Sequence, residues 1–539
     1  MLLALAALWG SFVSANVAGV STNTSRKTCA NIAPPRVDGA KVLSVSSAEL
    51  LNHTVAPYPP LLNEPVTGIN VCEVNVTLTH PGANDTVQVQ VWLPLKNWNE
   101  RFISLGGSAW AAGHGPLTIG PSAVKGFAAA STDAGLGNNP FDPRAWALKP
   151  DGTVNLELLT NFASRSIHDL AVVGKAVTAS YYGKPANYSY WQGCSTGGRQ
   201  GLVAAQKYPG DFDGILAGAP AIYWTKYVIA ELWPQVVMEE AGYFPLACEF
   251  AAIRDDAVAA CDELDGVKDG VISNLSACKY SPSRLLGKKI DCGGTEVVIT
   301  PDLVSIVEKM WEGPKTASGS RLWNGLEVGS PLDTLAATQD GKGSPFFVAA
   351  GWASYFVKAN PSFSLIGLDS PQFRDLFAQS VDKFNSLIDS SDPDLSGFQK
   401  SGGKLLVWHG AADNVIFPQD SVQYRREVEA KLGASARRID DFFRLFMAPG
   451  VDHCAGGSID GAGPTNPLAS LIDWVERRKA PVELAAATLP MAKSQFTRKL
   501  CPYPLVAKYD GHGNSSIAES FQCAKSFGKP SCSLAAHGS

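Results

Sequence analysis

The tightest constraint on this chain is a single turn. Residues 187–192 form a short aromatic run that reads as a strand, residues 199–207 carry helical periodicity, and only Gly193-Cys194-Ser195-Thr196-Gly197-Gly198 separates them. A strand that turns so abruptly into a helix belongs in a sheet whose next strand is reached by a crossover. The surrounding pattern agrees. Residues 101–105 are an apolar strand running into Gly106-Gly107, Ser166–Tyr182 has apolar residues at helical spacing, and 214–218 is a buried-strand run after the helix. Upstream, residues 75–93 alternate and then turn apolar, the pattern of an antiparallel pair leading into the sheet. The expected fold class is α/β, with a mostly parallel sheet covered on both faces.

The next sheet-like run is Lys404–Gly410, and 442–447 supplies a further strand. About 180 residues separate the 404–410 run from the 214–218 run, far more than a crossover uses. The economical division is a core of residues 16–220 and 403–539 with an inserted domain at 221–402, carrying amphipathic stretches at 304–311 and 371–384.

Charge and hydropathy narrow the function classes. With 45 basic against 50 acidic side chains and no long Lys/Arg run, the footprint of a nucleic-acid binder is missing. No run of 18 apolar residues occurs beyond the first twenty positions, which excludes a multi-span membrane protein. Residues 1–15 have a short apolar core ending in Val13-Ser14-Ala15 and read as a secretory signal, although no basic residue precedes the core. Asn-x-Ser/Thr sequons at Asn23, Asn52, Asn75, Asn84, Asn187, Asn274 and Asn514 point the same way, to an extracellular glycoprotein with no membrane association once the signal is removed. In an oxidising compartment, 11 cysteines without a Cys-x-x-Cys pair read as structural bridges.

Gly193-Cys194-Ser195-Thr196-Gly197 matches Gly-x-Ser-x-Gly, the sharp turn that lifts a serine hydroxyl above a sheet at the N-terminus of the next helix. A serine hydroxyl is a poor nucleophile at neutral pH, so this reading needs a histidine base and an acid, in the order Ser, Asp/Glu, His. His453 stands in a Gly-rich loop after the last sheet-like strand, where the base belongs; His409 lies inside a strand end and reads as a satisfied structural histidine. Asp413 follows the 404–410 strand and is the expected acid, with Asp420 and Asp452 as competitors. Cys194 directly precedes the serine and Cys454 directly follows the histidine. A Cys194–Cys454 bridge would clamp the two loops together.

The pattern Cys194-Ser195, Asp413 and His453-Cys454 resembles that of the secreted tannases and feruloyl esterases, especially the fungal feruloyl esterase B type. The likeness extends through Trp92-Leu93-Pro94, Asn97-Trp98-Asn99, Gly106-Gly107, Ser131-Thr132-Asp133 and Arg498-Lys499-Leu500-Cys501-Pro502. This resemblance implies an α/β-hydrolase core, a large lid that would be the inserted 221–402 domain, and a structural calcium ion in that lid. The acidic, Gly-punctuated stretch from Cys261 to Val271 would hold it, through Asp262, Asp265 and Asp269 with the carbonyls of Val267 and Val271, since calcium takes six to eight oxygen ligands. Cys278 would close that loop with Cys261. Cys29–Cys72, Cys248–Cys292 and Cys501–Cys523 are then reasonable pairs and Cys532 is left over, although connectivity is not deducible from sequence.

The activity implied is two-step hydrolysis of phenolic acid esters, with the oxyanion met by the N–H groups of Thr196 and Gly107. Hydroxycinnamoyl (feruloyl) esters of plant polysaccharide are the first expectation and galloyl esters the alternative; the lid lacks the Lys-Arg dipeptide at which some tannases are cut. A rival of another class is a secreted calcium-dependent binding protein that has lost catalysis.

Overall fold

The computed structural model describes residues 29–527 apart from 31, 60–61, 434–435 and 456–459. The expected signal segment, Asn23 and Cys532 lie outside the described residues. Nine strands form the main sheet: β1 (Lys41–Val55), β2 (Val66–Thr79), β3 (Val87–Pro94), β4 (Arg101–Leu105), β5 (Ala128–Thr132), β6 (Tyr188–Cys194), β7 (Gly214–Gly218), β8 (Lys404–Gly410) and β9 (Phe443–Ala448). Their order is β1-β2-β3-β5-β4-β6-β7-β8-β9. The pairings among β1, β2, β3 and β5 are antiparallel, and those from β5 through β9 are parallel.

Strand periodicity divides the core in two. On the central strands Phe102, Trp191, Ile215, Ala217, Leu405 and Val407 face one layer, where Leu170 and Val173 of the Ser166–Tyr182 helix and Leu202 of the Thr196–Lys207 helix cover them. The intervening Ile103, Tyr190, Leu216, Leu406 and Trp408 face the other, under Ile119 of the Pro116–Ala123 helix and Trp474 of the Pro467–Arg477 helix. This is the α/β-hydrolase arrangement of a mostly parallel sheet between two helical layers.

Between β7 and β8 the described chain forms helices and short two-stranded ribbons but adds no strand to the main sheet. The inserted region does not build a separate core. Trp224 lies 5.5 Å from the Trp110 ring centre and Phe356 lies 5.4 Å from it, so the insertion and the sheet-bearing part pack as one body. The amphipathic stretches expected at 304–311 and 371–384 are the longer helices Pro301–Glu312 and Ser370–Ile388.

Two strands of the main sheet have no counterpart in the sequence reading. β5 is Ala-Ala-Ala-Ser-Thr, weak in β propensity, and is held by burial between β3 and β4. β1 is largely exposed along the sheet edge, so its apolar alternation is faint. All five expected disulfides form: Cys29–Cys72, Cys194–Cys454, Cys248–Cys292, Cys261–Cys278 and Cys501–Cys523.

Candidate active site

Ser195 occupies the turn between β6 and the Thr196–Lys207 helix with φ 63° and ψ −123°, a conformation that costs a non-glycine residue about 1–3 kcal/mol and persists only when its surroundings enforce it. They do so from several sides. The Ser195 N–H donates to Gly218 O at 3.0 Å, and the Arg199 N–H donates to Ser195 O at 2.9 Å. A Cβ on Gly193 would stand 2.6 Å from the Gly197 backbone, so the motif's first glycine is required by close approach.

The candidate acid and base come from adjacent strand ends. Asp413 follows β8, and His453 follows β9. A Cβ on Gly410 would stand 2.3 Å from Val451 O, and the Ala412 N–H donates to that same oxygen at 3.0 Å, so the two loops interlock. His453 Nδ1 lies 2.8 Å from Asp413 Oδ2. The other carboxylate oxygen accepts the N–H groups of Val415 and Ile416, both at 2.9 Å. Burial opposes ionisation of Asp413, but the His453 charge and hydrogen bonds from His409 and His453 prevail and hold it below the usual carboxylate range. Burial likewise pulls the His453 pKa down, yet the Asp413 carboxylate outweighs it and the net shift is upward. The Cys194–Cys454 bridge joins the neighbours of Ser195 and His453, and both residues line one cavity of about 730 Å³. A larger cleft of about 900 Å³ contains none of the three and has no nucleophile–base pair.

The competing acids are placed elsewhere. Asp420 accepts from Asn324 Nδ2 at 2.9 Å, and burial pushes its carboxyl up to about 8. Asp452 is buried with interactions of its own. His409 is satisfied, as expected, but not apart from the site: its Nε2 lies 3.1 Å from Asp413 Oδ2, the oxygen that His453 engages.

The anticipated oxyanion pair needs one correction. Thr196 is the first residue of its helix, where an N–H has no intrahelical acceptor. Gly107 also lines the cavity, but its N–H donates to Gln200 Oε1 at 3.0 Å and is already engaged. Gln200 straps the whole loop to the helix, because its Nε2 donates to Ala112 O at 3.0 Å, while the Gly197 N–H donates to Gly107 O at 3.1 Å and the Thr196 hydroxyl to Ala109 O at 2.7 Å. Gln200 lies one turn beyond Thr196 on the same helix face, so its spacing from the motif carried the signal. His114, on the cavity wall within 2.9 Å of Ser108 Oγ, was also not anticipated; burial lowers its pKa to about 4 and keeps it neutral.

In the acidic loop, Asp262 Oδ1 accepts from the Asp269 N–H at 3.0 Å and Oδ2 from the Gly270 N–H at 2.9 Å, while Asp265 Oδ1 accepts from the Val267 N–H at 3.0 Å. Asp269 pairs with the Arg498 guanidinium. Among the described residues no group of three His, Cys, Asp or Glu side chains converges as a metal-binding set.

A family model described as tannase and feruloyl esterase matches residues 72–524. The chain belongs to the tannase and feruloyl esterase family. A probable feruloyl esterase of Arthroderma benhamiae is 48% identical over 534 residues, covering 98% of each chain. Feruloyl esterase B of Aspergillus niger is 31% identical over 84% of this chain and 87% of its own. Among solved structures, a tannin acyl hydrolase from Aspergillus niger superposes with a TM-score of 0.82 at 27% identity, covering 92% of this chain and 94% of that one. Feruloyl esterase B from Aspergillus oryzae gives 0.76 at 28% identity, covering 91% and 97%. Like its family, the protein is a carboxylic ester hydrolase acting on phenolic esters. Among the described residues no helix is long and apolar enough to cross a membrane.

Proposed function

We propose that this esterase is secreted and releases hydroxycinnamic acids from plant polysaccharide by a Ser195–His453–Asp413 mechanism. The observation that carries the reading is the His453–Asp413 hydrogen bond at 2.8 Å, opening on the cavity that also holds the strained Ser195. His453 takes the Ser195 proton as Oγ attacks the ester carbonyl. The resulting tetrahedral intermediate collapses, the alcohol leaves with that proton, and water activated by the same histidine then releases the acid. Asp413 fixes the imidazole tautomer and stabilises its charged form. The oxyanion meets the Thr196 N–H and a second N–H from Ser108 or Ala109, which lie next to the engaged Gly107 on the cavity wall.

The names of the A. benhamiae and A. niger relatives favour feruloyl over galloyl esters. Parallel turnover of methyl ferulate and methyl gallate tests the choice: faster cleavage of the ferulate is expected, and a strong preference for gallate overturns it. Five disulfides support an extracellular destination. Of the sequons, Asn52, Asn84, Asn187 and Asn514 are exposed, Asn75 and Asn274 are part-buried, and Asn187 Nδ2 donates to Glu100. Asn52, Asn84 and Asn514 are therefore the best-placed glycan acceptors.

A calcium ion in the 262–271 loop belongs to the same reading. Asp262, Asp265 and Asp269 offer the hard oxygen donors that calcium takes, and Asp262 and Asp265 are buried; their oxygens here meet backbone N–H groups and Arg498, so an ion would draw them out of those bonds. Burial and the neighbouring Asp269 and Asp262 charges push Asp265 up to about 6, a penalty that a cation would relieve. The three carboxylates with the Val267 and Val271 carbonyls would hold the ion, whose role would be to fix the loop.

A further inference from the structure

Among the described residues that line the catalytic cavity, Glu231 is the one acidic side chain, and the mechanism leaves it without work. It follows the Trp224–Ala230 helix, is 1% exposed and lines the same cavity as Ser195 and His453. Its Oε2 has no hydrogen-bond partner. An acceptor left unpaired away from water costs about 1–3 kcal/mol, so a buried carboxyl in this state is explained most simply by a partner that arrives with the substrate.

The surroundings say what kind of partner. Trp224, Tyr227 and Glu231 are spaced i, i+3, i+7 and all three line the cavity, so one helical face presents an indole, a phenol ring and a carboxyl together. Phe346 and Phe347, whose rings are 4.7 Å apart, contribute further aromatic wall. Exposure falls from 59% at Phe141, on the cavity rim, to 1–2% at Trp224, Tyr227 and Glu231. A polymeric alcohol must lie toward the open side. The interior is left for the acyl group, and a flat ring bearing a hydroxyl matches an aromatic slot that contains a buried carboxyl. Burial, with the Asp413 charge acting on it, drives the Glu231 carboxyl well above its usual range and so favours its protonated form, which can donate as well as accept.

We propose that Glu231 is the specificity-determining partner of a free para-hydroxyl on the aromatic ring of the acyl group. The proposal rests on the phenolic-ester reading above and says which feature of the phenolic acid the site reads. Both groups stay intact: the phenol O–H and the carboxyl exchange hydrogen bonds, and no bond is made or broken there.

The test compares methyl 4-hydroxycinnamate with methyl cinnamate, which differ only in that hydroxyl and share the methyl leaving alcohol. A site built around a substrate hydroxyl discriminates strongly against the analogue lacking it. The wild type is expected to favour the hydroxylated ester. Glu231→Leu should cut that kcat/KM ratio by about tenfold or more while leaving cinnamate turnover unchanged or raised, and Glu231→Gln, which keeps a donor and an acceptor, should retain most of the preference. If Leu does not fold, Glu231→Ala is read the same way. An equal loss on both esters, the result of a purely packing role or of an effect through Asp413, overturns the proposal. So does equal wild-type turnover of the two. Failure of the wild type on both esters sinks the phenolic-ester reading itself, a result distinguishable from the other two.

Discussion

His409 Nε2 lies 3.1 Å from Asp413 Oδ2, the same oxygen that His453 Nδ1 meets at 2.8 Å. The other neighbour of that Nε2 is Ile416 O at 3.2 Å, also an acceptor, so the proton resides on Nε2 and Nδ1 accepts from the Ser421 hydroxyl at 2.7 Å. Asp413 thus receives two imidazole donors on one oxygen and two backbone N–H groups on the other. In the proposed mechanism His409 is a positioning residue: it holds the carboxylate that holds His453. A hydrogen bond to a charged group contributes about 1.5–3 kcal/mol, so His409→Phe should lower kcat by roughly 10- to 100-fold with little change in KM. An equal effect on KM alone would show that His409 shapes substrate binding instead.

The Cys194–Cys454 bridge spans 260 residues of sequence and joins the flanks of Ser195 and His453. The Cys194→Ser, Cys454→Ser double variant should lose roughly 2–5 kcal/mol of stability in denaturant titration. Its kcat/KM should fall even at temperatures where it is fully folded, because misplacing reacting groups by about 1 Å can cost about a hundredfold. Full activity in the folded variant would reduce the bridge to a stabilising role.

The opposed shifts on Asp413 and His453 fix a pH window. The Asp413 pKa lies below its ordinary 3.8, so its contribution to stability is present above that value and lost as pH falls through the folded pKa. The His453 pKa lies above 6.5, so its contribution is present below 6.5 and lost as pH rises through the folded pKa. The Tm difference between wild type and Asp413→Asn should therefore be widest between about pH 4 and pH 6.5 and shrink on both sides. The acid limb of kcat/KM should also move to lower pH in Asp413→Asn, because the carboxylate that raises His453 is gone. A limb that stays in place would mean that another group sets it.

Much of this site was legible because its chemistry demands local sequence. Gly193 and Ser195 occupy a turn that few residues tolerate, and Asp413 and His453 follow strand ends whose apolar runs are plain. Contacts made only through the fold were hidden. The spacing of Gln200 from the motif puts it on the face of Thr196, but nothing near Gly107 says that its N–H will be the partner, and nothing near Glu231 says that its side chain will end in the catalytic cavity. The strand β5 was hidden for another reason: an alanine-rich segment has no β signature of its own and is fixed by burial between neighbours. The inserted region at 221–402 was visible as a gap between strands, but its shared core with Trp110 was not.

Chelation tests the acidic loop. Exhaustive removal of calcium should lower Tm, and Asp265→Asn should lower it in calcium-replete buffer and abolish the response to chelator. The loop packs against the triad segments through Val271 and Gly450 but supplies no triad side chain, so the rate of Ser195 acylation at low temperature should change less than Tm does. A Tm indifferent to chelation would count against a metal there.

The role of Ser195 as a nucleophile activated by His453 can be tested chemically. Intact-mass analysis after treatment with a fluorophosphonate tests it most directly. One adduct per chain is expected, mapped by proteolysis to the peptide holding Ser195, lost in Ser195→Ala and formed far more slowly in His453→Ala, with both variants folded. Labelling that persists in Ser195→Ala, or near-wild-type ester turnover by that variant, would contradict it.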